Sequence, residues 1–192
     1  MVAALASGDQ VLLLRKGGIA ESRRGFELRY GEFLLYPTYE HQQEKLVKPR
    51  FQPLLREELA ALDEGEVRIT HLARVERLVR APETIEEAEC LAPYHMWSQD
   101  WLRQRYQYRP ELPLWLVLLR VFRLASPQVI RERASYAGCK SWVHLTEEIP
   151  VEGAVPVLAE GPFRNACGKL AGALALMPRP GPPTSSGRRR TL

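Results

Sequence analysis

The sequence predicts an α+β domain, a curved mixed sheet or a small β barrel with peripheral helices. Three observations lead there. Apolar or alternating strand-like runs dominate, at 10–15, 66–80 and 112–124. Short helical patterns are inserted between them, and the two types do not alternate in the regular way that a βαβ array requires. The chain of 192 residues can close one core without staples. We expect a single domain over 1–165 and a C-terminal extension over 166–192, disordered from about 178, where MPRPGPPTSSGRRRTL has almost nothing to bury.

The elements follow in order. MVAALASGD opens with a short helix closed by Ser7, Gly8 and Asp9, and QVLLLR is a strand bounded by Gly17 and Gly18. GFELRYGEFLLYPTYEHQ offers two strands meeting near Tyr30 and Gly31, with Pro37 ending the second. In FQPLLREELAALDEG, Pro53 suits a first helical turn, Leu54, Leu55, Leu59 and Leu62 form one stripe, and Gly65 follows the end. EVRITHLARVERLVR, 66–80, is a long strand rich in β-branched and apolar types. Pro82 with Glu83, Glu86 and Glu87 starts a helix whose dipole favours early acids, and Ser98 caps a second helical piece. Residues 112–124 make the central strand; a loop, a strand at 140–145, and a closing segment, IPVEGAVPVLAEGPF, complete the body.

Charge does not by itself point to a polyanion partner. Of 27 basic residues, Arg179, Arg188, Arg189 and Arg190 sit in the tail, leaving 23 against 23 acids, so any anion site must be a local patch. The three cysteines, 90, 139 and 167, have neither disulfide-framework nor metal spacing, which places the protein in a reducing cytoplasm. No run approaches the ~20 apolar residues of a membrane span, and no signal peptide is evident. No metal or cofactor is expected: the histidines at 41, 71, 95 and 144 lack ligand spacing, and those at 71 and 144 fall in expected strands.

Four stretches carry candidate chemistry. Arg15, Lys16, Gly17 and Gly18 combine two cations with two backbone-permissive residues, which suits a phosphate contact; a solvated strand end followed by a turn is the plainer reading. Tyr36, Thr38, Tyr39, Glu40, His41 and Gln42 gather past a strand end, able to stack on a base and bond its edges. Glu40 and His41 are alternatively a general acid and base, or part of an ordinary polar loop. APYHMWSQDWLRQRYQYR interleaves aromatics with arginines; Trp97, Trp101 and Tyr108 at near-helical spacing read as a core stripe or as a stacking groove. In GCKSW, Lys140 and Ser141 suit a phosphate better than Cys139 suits catalysis.

LLLRKGGI at 12–19, LLYPTYEHQ at 34–42, PYHMWSQDWLRQRYQYRPELPLWLVLLRVFRL at 93–124 and YAGCKSWVHL at 136–145 together resemble an uncharacterised bacterial family of unknown function (DUF1802-like), over roughly 2–163. More distantly, the order of the R-K strand, VRITHLARVERLV, the "PLWLVLLRV" strand and PVEGAVPVLAEGPF resembles the ASCH and EVE domains of the PUA-like superfamily. That likeness implies a small barrel that binds RNA, DNA or a modified nucleobase; the longer insertion at 81–111 departs from it. On this basis the expected site lies between the 15–18 turn and the 36–42 loop. Arg15, Lys16, Lys140 and Ser141 would meet phosphates, Tyr36 and Tyr39 would stack, and Thr38, His41 and Gln42 would read polar edges. The competing readings are a hydrolase or divergent nuclease using Glu40 and His41, and a protein-interaction domain. Glu27-Leu28-Arg29 is a poor nuclease match, because Arg does not surrender a proton.

Overall fold

The structure, a computed structural model, describes residues 1–16, 21–22, 25–26, 30–37, 44–60, 65–136 and 142–176. Two long antiparallel strands form its backbone: β5 (Glu66–Arg80) and β6 (Trp115–Arg131) pair along their whole length. Strand β1 (Leu12–Arg15) lies on the outer side of β6 and β4 (Glu32–Leu34) on the outer side of β5, so the sheet runs β1-β6-β5-β4. Strand β7 (Val155–Pro156) pairs with β6 farther along. A separate two-stranded ribbon joins β2 (Glu21–Ser22) to β3 (Gly25–Phe26).

Every pairing is antiparallel and the sheet is open, so the α+β class holds while the barrel does not. No closure joins β4 back to β1 among the described residues. Two expectations about turns also change. Strand β4 pairs with β5 while the described Gly25–Phe26 pairs with β2, and residues 126–131 extend β6 instead of forming a loop. In the described part of the strand expected at 140–145, residues 142–145 have no strand pairing and His144 is exposed.

Local signals place the helices. Helix α1 (Val2–Ala6) stops at Gly8, whose φ of 80° favours glycine and whose added Cβ would lie 2.7 Å from Leu158. Helix α2 (Gln52–Ala60) carries Pro53 in its first turn, as expected. A capping box starts α3 (Ile85–Ala88): Thr84 Oγ1 accepts from the Glu87 N–H at 3.2 Å while the Glu87 carboxylate accepts from the Thr84 N–H at 3.3 Å. Ser98 caps α4 (Gln99–Gln107) by accepting from the Trp101 N–H at 3.3 Å. Helix α5 (Glu160–Ala175) runs across the boundary expected at 165 and buries Phe163 and Leu170. No helix among the described residues is long and apolar enough to cross a membrane.

The sheet buries both faces around its centre, which is why β1 and β6 read as unbroken apolar runs. On one face Leu12, Leu14, Leu116 and Leu118 meet Leu91, Leu102 and Leu170 from the inserted and C-terminal helices. On the other, Leu13, Val117, Leu119 and Val121 meet Leu5 of α1. Two irregularities re-phase β5. Thr70 stands opposite the four residues 124–127 of β6, and Glu76 is an extra residue between the pairs Val75↔Leu119 and Arg77↔Leu118. Arg120 lies buried in the sheet, 4.4 Å from the Phe163 ring and 3.1 Å from Glu160, which fastens the start of α5.

Candidate functional site

The inserted segment is tied to the N-terminal region by buried polar groups. The Gln10 side chain donates to the Leu12 carbonyl at 2.6 Å and accepts from the Met96 N–H at 2.9 Å. Lys48 donates to the carbonyls of Ala92 and, at 2.6 Å, of His95, capping the short 3-10 helix Glu89–Tyr94. These anchors hold α4 against the sheet, so the end of α4 arrives where β1 exits and β6 begins.

At that end of the sheet the registers bring three strands into one row. Arg15 pairs with Trp115, and Trp115 pairs with Arg80. Directly opposed residues start from the same face, so Trp115 stands between Arg15 and Arg80 in the row. Neighbouring strands lie about 4.8 Å apart, which makes the row about 10 Å wide. The extra residue at Glu76 matters here, because a shift of one residue in β5 would send Arg80 to the opposite face.

Lys16 follows and turns to the other face. Only 8% exposed, it donates from Nζ to the Tyr106 carbonyl at 2.8 Å and lies 5.6 Å from the Tyr106 ring. An ammonium there meets the negative end of α4. Burial pushes the Lys16 pKa down, Glu111 pulls it back, and Arg105 pushes it down again. Burial and the neighbouring Arg105 likewise lower Arg15, while Arg105 rests 4.8 Å over Trp101. Arg15, Lys16 and Arg105 therefore concentrate positive charge around the end of α4.

Beside this cluster opens a cleft of about 290 Å³. Lys16, Arg80, Glu83 and Glu111 are its charged lining. Pro82, Tyr106, Pro110, Leu112 and Pro113 are among its less polar lining. The Tyr106 hydroxyl donates to the Pro82 carbonyl at 2.7 Å, and burial, with help from Glu87 and Cys90, raises its pKa so that it stays protonated. Arg80 meets Glu83 at 3.3 Å with both side chains more than half exposed, an ion pair that restrains the guanidinium weakly. Between Tyr106 and Pro110 of the lining, Arg109 adopts φ 46°, a left-handed conformation uncommon for a residue with a side chain.

The residues expected from sequence to form the site fall as follows. Arg15 and Lys16 are at the end of the sheet just described. Tyr36 is not beside them. Leu35 donates to the His71 carbonyl at 2.9 Å, and His71 pairs with Arg123, eight residues along β6 from Trp115. At ~3.3 Å per residue this separates the two by about 26 Å. The Tyr36 ring packs edge-on against Tyr136, centroids 6.1 Å apart, in a core with Leu72 and Leu124. The described Arg15, Lys16 and Tyr36 thus lie at different ends of one long strand. Gly17, Gly18, Thr38, Tyr39, Glu40, His41, Gln42, Cys139, Lys140 and Ser141 lie outside the described residues.

The aromatic and arginine segment divides. Trp97 and Trp101 stack at 4.5 Å with planes 7° apart and pack against the core, whereas Tyr108 is exposed. Sequence reasoning missed Trp115 and Arg80 as site residues. Their signal was proline at a strand end: Pro113 before Trp115 and Pro82 after Arg80 mark where the ladder opens to solvent.

Residues 1–168 match the model of the family described as Domain of unknown function (DUF1802). The chain belongs to this family. No curated protein matches the chain, and no solved structure matches it. Membership of the DUF1802 family agrees with the four sequence blocks that resemble it and adds no activity.

Proposed function

We propose that this member of the DUF1802 family is a nucleic-acid-binding module that holds RNA or DNA, or a modified nucleobase, at the β1, β6 and β5 end of its sheet. The observation that carries the reading is the row Arg15, Trp115 and Arg80. An aromatic face offers a sequence-tolerant stacking platform, and cations on either side meet the phosphates that flank a stacked base. Lys16 and Arg105 add charge from the adjoining face. Two features that the sequence shows separately, the strand ending in Arg15 and Lys16 and the Arg-rich helix α4, meet at this end of the sheet through Lys16 and Tyr106. A cytoplasmic setting fits this reading.

Fluorescence anisotropy with labelled single- and double-stranded DNA and RNA, with and without Mg²⁺, tests it. Retention without cleavage is expected. With Arg15, Lys16 and Arg80 each neutralising about one phosphate, log affinity for a single strand should fall with log salt at a slope of about −2. Absence of binding to every nucleic acid at low salt would refute the reading, and Mg²⁺-dependent cutting would replace it with an enzyme.

A further inference from the structure

Resting on the reading of this end of the sheet as a nucleic-acid contact, we infer that the cleft beside Lys16 and Arg80 seats one nucleotide carrying a phosphate, either free or at the end of a strand. Size is the first argument. At about 290 Å³ the cleft stands at the lower limit of small-ligand pockets, which suits a single nucleotide and not a run of them.

Composition is the second argument. A site for a bare anion needs donors alone, yet Pro82, Pro110, Leu112, Pro113 and Tyr106 also line this cleft among its charged groups. Apolar lining between charged groups suits a ligand with a ring as well as a charge. The cations Lys16 and Arg80 suit the phosphate; Lys16 spends one of three N–H groups on the Tyr106 carbonyl. Glu83 already meets Arg80, whereas the Glu111 carboxylate accepts and does not donate, so it favours bases that present amino groups: guanine N2, adenine N6 or cytosine N4. Uracil, whose exocyclic groups are carbonyl oxygens, would face the Glu111 carboxylate with acceptors. A nucleotide with an amino-bearing base is therefore the ligand that complements all three kinds of lining.

The inference can fail independently of the proposed module. Isothermal calorimetry on the full chain would measure binding of GMP, AMP, CMP, UMP and inorganic phosphate. Anisotropy would then measure how well each displaces a labelled oligonucleotide, alongside unlabelled competitors with and without a 5′-phosphate. Saturable binding of the amino-bearing nucleotides, at least tenfold tighter than UMP and phosphate, supports a free nucleotide. Preference for 5′-phosphorylated strands, with free nucleotides silent, supports a strand end. Arg80→Ala and Glu111→Gln change exposed side chains and should fold; the first should weaken the nucleotide about tenfold, and the second should erode the preference over UMP. If oligonucleotides bind whatever their ends while no mononucleotide binds or competes, the inference is overturned and the module stands. If inorganic phosphate competes as well as any nucleotide, the cleft is an anion site and the inference is also overturned. If no nucleic acid and no nucleotide binds, both readings fall.

Discussion

Replacing His95 by phenylalanine should make the protein markedly less sensitive to mild acid. His95 is only 2% exposed, and neither ring nitrogen makes a well-formed hydrogen bond among the described residues. Burial, reinforced by the Lys48 ammonium and partly opposed by the Trp97 backbone, lowers its pKa to about 4 from the ordinary 6.5. The sign follows from proton counting. Between pH 6.5 and 4 the unfolded chain binds a proton that the folded chain refuses, so stability is fully present above 6.5 and is lost as pH falls towards 4. A displacement from 6.5 to about 4, at ~1.4 kcal/mol per pH unit, is worth about 3 kcal/mol. Urea unfolding of the wild type and of His95→Phe at several pH values from 7 to 4 measures the difference, because the carboxylates titrate alike in both. Near pH 7 the variant should be close to neutral, since it removes two polar atoms that make no well-formed hydrogen bond among the described residues. His95→Gln, which also cannot titrate, guards against a packing artefact of the larger ring. Parallel loss of stability in all three proteins down to pH 4 would refute the argument.

Further outcomes follow from the same geometry. Trp115→Ala should weaken single-strand binding by about 1–3 kcal/mol, or about 5- to 150-fold, leaving the salt slope unchanged, whereas Arg80→Ala should reduce that slope by about 0.7; anisotropy across a salt series reads both. Leu116, fully buried between β1 and β5, should cost about 2–5 kcal/mol on replacement by alanine, measured as a lower urea midpoint with unchanged slope. Tyr136→Phe removes the hydroxyl that accepts from the Thr146 N–H at 2.9 Å and donates to Glu147 at 2.8 Å. Hydrogen exchange at Thr146 should then quicken. The same hydroxyl, together with Arg133, holds the Glu147 pKa down at about 2, so a contribution present above the ordinary 4.5 and lost as pH falls towards 2 should shrink in that variant.

What the sequence by itself determined was local. The long strand over 66–80 was legible from its β-branched and apolar content, the start of α2 from Pro53, and the start of α4 from Ser98, because alternation and capping depend on residues a few positions apart. Family membership was legible for a similar reason, as blocks of residues in order. Helix α5 escaped notice: its only fully buried anchor, Leu170, stands in a run of alanines and glycines with no marked apolar stripe. The candidate site escaped for a deeper reason. Arg15, Trp115 and Arg80 are scattered along the chain, and only strand register, including the extra residue at Glu76, sets them in one row. The same register carries Tyr36 to the far part of the sheet, about eight strand residues away from Arg15 and Lys16. Pairing between distant strands is settled by which faces can bury their side chains together, and a slip of one residue would reverse every one of those faces.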